Sequence, residues 1–547
     1  MKKSILISSI FGVSALVAFA QDATETYDLY YDRVISTTTP TTDNLASFTD
    51  ANDVVQSGIT YKYKDSNGVE QSYTGELGAN TNITLNITEA EGFSGTYSTS
   101  LLFNYGNSTT HNEPLTLGNL KYYINTSSAS SYRLLGQYAD PLTVKSLEVE
   151  LDSKSPTVNN FVQLSFNTET KSSIFVENNF TIRNTGTKYW NMRVTFNHCG
   201  TISVGGDFIV SNDKGKVELE AGATGWEWSG FTVGGVLKLE TAAGNYAWWK
   251  FASSNWYNTK RTLGGLDVAH DGVIGIDTIR DEKKTETSIV SNLTFTNSSK
   301  HEYVGSLAEV KVDLPHLLNV TMNATDATNG RQILRFEEYV YRSGLNSNYE
   351  DAKDVLNNIV VNSGRLDLGM HTNGMFARNL TLNGENAVFS STALMTNEEI
   401  GYTNFASANL TKGTLVFDYS IDANDTININ KNGVEGATGA LTVANASDIT
   451  IILSEIETSD IKTWLQDEGM DSFSFDILSF ESTNLTEESI ADINVVSSNG
   501  MNAVLSAIKT DGVITGIQAT IAVPEPATVA GIFGLFALAF VAYRRRK

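Results

Sequence analysis

The chain has 547 residues, 62 acidic and 38 basic, for a formal net charge of −24. So acidic a surface repels nucleic acid and anionic membrane surfaces, which excludes both as partners of the protein's body. A single cysteine, Cys199, excludes internal disulfides, and abundant Gly, Tyr and Phe with only 7 Pro indicate turn-rich β-structure rather than disorder.

The length allows two to four domains. At the N-terminus, Lys2 and Lys3 precede an apolar run from Ile5 to Phe19, and Ala18-Phe19-Ala20 has the small-x-small pattern of a cleavage site. Residues 1–20 are therefore expected to be a signal peptide, carried by the Sec translocon and removed by signal peptidase. The mature chain would begin at Gln21. Residues 21–140 are Tyr-rich, as in Tyr27-Asp-Leu-Tyr-Tyr-Asp32 and Tyr61-Lys-Tyr63, and lack a regular repeat. They are expected to form irregular β-structure, either an N-terminal cap or the first coils.

Residues 141–440 repeat. Short alternating segments begin their apolar positions at Phe180, Phe208, Leu237, Leu266 and Leu293, at intervals of 28, 29, 29 and 27. Glycine pairs precede three of them: Gly205-Gly206, Gly234-Gly235 and Gly264-Gly265. Alternation is the pattern of a half-buried strand. Several strands inside a period near 28 imply an all-β chain wound as a parallel right-handed β-helix, with the five apolar residues in one interior column. The rival architecture, stacked β-sandwiches, would place turns every 8–12 residues or so without the longer repeat. Segments such as Ile359-Val-Val-Asn-Ser-Gly-Arg-Leu-Asp-Leu-Gly369 and Asn379-Leu-Thr-Leu-Asn-Gly384 resemble the passenger regions of autotransporters.

Residues 441–521 are expected to form a small mixed cap. Ser459 or Asp460 can start a helix ending near Gly469, and Asn484 or Thr486 a second. Strands are expected around Ile449–Leu453, Phe473–Phe480 and Val513–Ile521. A solenoid needs such a cap to block edge-to-edge association.

Candidate chemistry is sparse. His198-Cys199 lacks nearby partners for nucleophilic catalysis or zinc, and is read as a stacked interior or corner pair. Among Trp226, Trp228, Tyr246, Trp248, Trp249, Trp256 and Tyr257, the tryptophans Trp226, Trp228, Trp249 and Trp256 are candidate glycan contacts, since sugar faces pack on flat rings. Trp190, Leu219 and Trp248 stand 29 apart, which argues for a stacked column there. Asp213, Glu218, Glu220, Asp267, Asp271 and Asp277 are the acids a carbohydrate-cleaving solenoid would use, though in so acidic a chain their nearness carries little. Asp326-Ala-Thr-Asn-Gly330 and Asp422-Ala-Asn-Asp425 read as turns. Asn-x-Ser/Thr triplets at Asn82, Asn179, Asn292, Asn319, Asn379 and Asn409 read as turn-then-strand chemistry rather than glycosylation. No nucleotide, metal or nucleophile-elbow motif is present, so no catalytic residue, metal or cofactor is expected.

The C-terminus, 523–547, has three parts. Val523-Pro524-Glu525-Pro526 leads into seventeen uncharged residues, Ala527 to Tyr543, and then Arg544-Arg545-Arg546-Lys547. The apolar run is at the lower limit of a membrane-spanning helix, and the cations would hold its end in the cytoplasm. This tail resembles the PEP-CTERM sorting signal of Gram-negative bacteria, whose proteins commonly carry β-helical bodies. The resemblance implies recognition by an exosortase-like membrane protease and removal of the helix. The expected protein is exported, anchored before sorting, and then structural or adhesive at the cell surface or in the extracellular matrix, without catalysis. The alternative is a β-helix that binds or cleaves extracellular polysaccharide.

Overall fold

In the middle of the chain a turn supplies three short strands, and in later turns these merge into longer ones such as Leu356–Met370. One turn contributes Ile174–Val176, Phe180–Asn184 and Asn191–Asn197, and the next Thr201–Val204, Phe208–Asn212 and Val217–Ala221. Each strand pairs in parallel with its counterpart one turn on: Ile174 with Ile202, Phe180 with Phe208, Val194 with Leu219. The strands thus stack into three faces, A through Ile174, B through Phe180 and C through Val194. The computed structural model describes residues 26–523 except 49–54, 57–58, 104–114, 127–130, 136–140, 154–160, 168–172, 187–190, 198–199, 222–229, 251–252, 255–258, 280–288, 310–315, 342–355, 371–376, 392–401, 432–436, 457–459 and positions 94, 96, 277 and 298. It is an all-β chain dominated by one large parallel sheet, as in a β-solenoid. The expected signal peptide, residues 1–20, and the segment 524–547 lie outside the described residues.

Inward residues follow the alternation. On face B, Leu29, Ile83, Leu120, Leu147, Phe180, Phe208, Leu237 and Leu266 pair in sequence through eight turns, and all are buried. The rings of Phe180 and Phe208 stack at 4.5 Å and 5°. Stacking like on like fills the core while each backbone amide bonds the neighbouring turn.

The expected column fails at its fifth member. Leu293 is interior but lies on face A, between Arg261 and Val320. The step from Arg261 to Leu293 is 32 residues, longer than the 28, 29 and 30 of the three face-A steps that lead from Ile174 to Arg261, so a fixed count stops one face early. The place above Leu266 is taken by a side chain. Gln332 is fully buried; its Oε1 accepts the Leu266 N–H at 3.0 Å and its Nε2 donates to the Leu266 carbonyl at 3.0 Å. A fixed count also misplaces the Trp248 column, because Leu219 pairs with Trp249 and Glu218 with Trp248. Trp190 lies outside the described residues.

The corners leading into face B share two devices. Asn82 Oδ1 accepts the N–H of Asn119, Asn179 Oδ1 that of Asp207 and Asp207 Oδ1 that of Val236, at 2.7–2.9 Å, and Asp267 Oδ1, one residue past the inward Leu266, accepts that of Glu302 at 2.9 Å. Each bond staples one turn to the next. The glycine pairs serve close approach. A Cβ at Gly205 would lie 2.1 Å from the Glu177 carbonyl oxygen, and one at Gly234 2.4 Å from the Gly205 oxygen. A second polar stack runs along face A: Asn319 donates to Asn292, Asn358 to Asn319 and Asn379 to Asn358, at 2.8–3.1 Å. The side chains of Asn292, Asn319 and Asn379 therefore join turns together.

Both ends close with antiparallel pairs. Tyr27–Ile35 pairs in parallel with Thr81–Glu89, so the Tyr-rich region holds the first coils. The hairpin of Lys62–Lys64 and Glu70–Ser72 folds back onto Tyr30. At the other end, parallel pairing continues past residue 441, through Ile449–Glu455 and Asn494–Ser497. Ser472–Phe480, Val513–Ala522 and Asn502–Thr510 then form an antiparallel trio. Helix α1, Ile461–Glu468, starts at Asp460, whose side chain accepts the Thr463 N–H, and ends at left-handed Gly469. Helix α2, Glu487–Ala491, has a capping box between Thr486 and Ser489. Asn484 instead bonds the main chain of Val443 in both directions.

Three substitutions test this register. Leu237→Ala should lower unfolding free energy by about 2–5 kcal/mol, while Lys238→Ala, facing outward, should stay within about 0.5 kcal/mol. Gly235→Ala should cost about 1–3 kcal/mol, since its Cβ would sit 2.8 Å from the Gly206 carbonyl carbon. Urea unfolding followed by circular dichroism measures all three.

Candidate functional site

Trp249 does not offer a glycan contact. Strand Ala247–Lys250 pairs it with inward Leu219, and it is 1% exposed, 6.2 Å from the Phe231 ring. Strand parity turns it inward. Its neighbour Trp248 faces the other way, with the Lys250 ammonium 4.2 Å over its ring. Trp226, Trp228 and Trp256, with His198 and Cys199, lie outside the described residues. So do Ala18, Ala20, Gln21, Pro524, Glu525, Pro526 and Arg544, Arg545, Arg546 and Lys547. Val523 is the last described residue, and its N–H donates to the Asp471 carbonyl at 3.1 Å.

The flagged acids are dispersed. Glu218 is buried, 2.9 Å from an Arg193 guanidinium nitrogen and 3.3 Å from Lys250 Nζ, a closed ion group on face C. Asp326 accepts the N–H groups of Thr328 and Asn329 and the Asn329 amide, which holds its carboxyl below the usual range and closes a turn. Among the described residues no three His, Cys, Asp or Glu side chains are grouped to hold a metal ion.

The cleft with the most suitable chemistry lies at the N-terminal end. It measures about 810 Å³ between the first strand and the folded-back hairpin, and is lined by Tyr27, Tyr30, Tyr63, Asp28, Asp32, Asp65 and Glu70 among others. Its size falls within the range of small-ligand sites. Tyr27 packs edge-on to Tyr63 at 5.7 Å and lies 5.3 Å from Tyr73, so the rings hold one another in place. Asp28 and Asp32 accept from the amides of Asn82 and Asn86 one turn on, at 2.7 and 2.8 Å. The Tyr30 hydroxyl donates to Glu70, which Lys62 also contacts at 2.6 Å.

These contacts set the charges. The hydrogen bond to Glu70 pushes the Tyr30 hydroxyl up to about 12. Lys62 first, and then Tyr30, hold the Glu70 carboxyl below its usual value, while the Val69 N–H does the same for Asp65. Ionised acceptors beside ring faces suit a ligand rich in hydroxyls or bearing positive charge. They do not suit acid catalysis of glycoside cleavage, which needs a carboxyl held protonated. The tyrosines, Asp28 and Asp32 were visible in the sequence, but Asp65 and Glu70 became part of a site only when the hairpin folded back.

Comparison with family models, with curated proteins and with solved structures found no match.

Glu70→Gln should bring the Tyr30 pKa back toward about 10, the ordinary tyrosine value. Because the Tyr30 pKa is raised and the Glu70 pKa lowered in the folded chain, the contribution of this pair to stability is complete from above the carboxylate range up to about pH 10, and is lost as Glu70 protonates in acid or as pH rises toward 12. Ultraviolet titration of tyrosine in wild type, Glu70→Gln and Tyr30→Phe measures the shift.

Proposed function

We propose that this is an exported structural or adhesion protein of the cell surface or extracellular matrix, with a parallel right-handed β-helix as its body. The observation that carries the reading is the order Pro524-Glu525-Pro526, apolar run, Arg544-Arg545-Arg546-Lys547 at the C-terminus. In this reading the Sec translocon and signal peptidase act first on residues 1–20. The helix from Ala527 to Tyr543 then holds the chain in the membrane, with its basic end in the cytoplasm. Pro524 and Pro526 lack amide donors, so a regular helix stops there and leaves an extended peptide for an exosortase-like protease. Among the described residues no helix is long and apolar enough to cross a membrane.

Two features support a binding role over a purely mechanical one. The surface is strongly acidic, which keeps an exported rod soluble, and the N-terminal cleft combines tyrosine rings with carboxylates. The second reading, a β-helix that binds extracellular polysaccharide, rests on that cleft. Trp226, Trp228 and Trp256 remain its candidate contacts from the sequence.

Deleting Pro524–Pro526 while keeping the apolar run should trap the full-length protein in the membrane fraction. Fractionation of a native host, with wild type alongside, is the measurement. Export of the deletion variant at the wild-type level would reduce the tail to a plain anchor.

A further inference from the structure

One side-chain constellation is used by none of the above. The Ser299 hydroxyl lies 3.0 Å from His301 Nε2, and His301 Nδ1 lies 3.2 Å from Asp267 Oδ2. The two ring nitrogens thus have different partners, a hydroxyl on one side and a carboxylate on the other. This is the order in which a nucleophile, a base and an orienting acid act together. We infer that Ser299, His301 and Asp267 form a serine-nucleophile site for hydrolysis of short-chain acyl esters.

The fold explains why the three meet. Asp267 stands one residue past Leu266 and pairs with Lys238, whereas Asn179 and Asp207 stand one residue before Phe180 and Phe208. Its Oδ1 performs the same task as theirs, accepting the N–H of the next turn, here Glu302, at 2.9 Å. That bond leaves Oδ2 fixed in direction toward His301. Gly265 completes the arrangement: a Cβ there would lie 2.1 Å from His301 Cδ2, so only a glycine leaves room for the imidazole. The hydrogen bonds from His301 and the Glu302 N–H hold the Asp267 carboxyl below its usual value against the desolvation that raises it. It therefore stays ionised opposite the imidazole. Ser299 is exposed and His301 only partly covered, so a group on a large polymer can reach the hydroxyl.

The reaction balances with water alone. Ser299 Oγ attacks the ester carbonyl carbon while His301 Nε2 takes the hydroxyl proton. The carbonyl–alkoxide bond breaks, and the departing alkoxide takes that proton. Water, deprotonated by the same nitrogen, then attacks the acyl-serine, releasing the carboxylic acid and restoring Ser299. Esters fit this open corner better than amides, because an alkoxide leaves with less assistance than an amine. Ser299 and His301 are the catalytic residues, and Asp267 is a positioning residue.

The test uses the purified full-length chain with p-nitrophenyl acetate and a fluorophosphonate probe. Ester hydrolysis should fall at least tenfold in Ser299→Ala and in His301→Ala, and mass spectrometry should place the probe on Ser299. Asp267→Asn keeps an oxygen for the Glu302 N–H, so its thermal midpoint should stay near wild type while kcat falls at least tenfold and KM changes little. Wild-type hydrolysis no faster than Ser299→Ala, labelling of a different serine, or full kcat in Asp267→Asn would each overturn the assignment.

Discussion

The main-chain hydrogen bond between one turn and the next is the constraint on which the rest of this molecule depends. In a parallel stack each strand satisfies its donors and acceptors only through its neighbours, so every turn must present the same three faces in the same register. Side chains at paired positions then meet their own kind. Phe180 stacks on Phe208, and Asn319 reaches both Asn292 and Asn358. With one cysteine and an acidic surface, the protein relies on this repetition rather than on covalent links.

Stacking backbones about 4.8 Å apart leaves little room where the chain bends, and the corners show how the sequence responds. Paired glycines remove the atoms that would collide with the carbonyl below. An Asn or Asp at the bend reaches up to the next amide and fixes the turn. An Asp used as a staple can acquire chemistry at small structural cost, because it has one oxygen more than the staple needs. At Asp267 that spare oxygen faces an imidazole.

Much of the body was legible in the residues themselves. The alternation around Phe180, Phe208, Leu237 and Leu266 located one interior column, and Asp460 and Thr486 began the two helices as cap chemistry predicts. Leu293 was misplaced because the step from Arg261 to it is longer than the three before it, and a period counted along a sequence has no access to an insertion between strands. Trp249 was misread for a related reason: a one-residue shift reverses which side of a strand a residue faces. The N-terminal cleft was half visible, since its tyrosines cluster in sequence while Glu70 joins them only through a hairpin. Ser299 and His301 lie two residues apart, but Asp267 comes from the previous turn, and no local pattern links them.

The last described strand, Val513–Ala522, lies between two others, Ser472–Phe480 on one side and Asn502–Thr510 on the other, both antiparallel to it. A pull applied at Val523 along that strand would load the hydrogen bonds on both flanks together, in shear, instead of peeling them one at a time. Bonds loaded together share the force. A rod held at this end would therefore resist drag from flow better than the hairpin at its opposite end, which meets the first strand at a single registered pair, Tyr30 with Lys62. Under tension that hairpin would yield before the point of attachment.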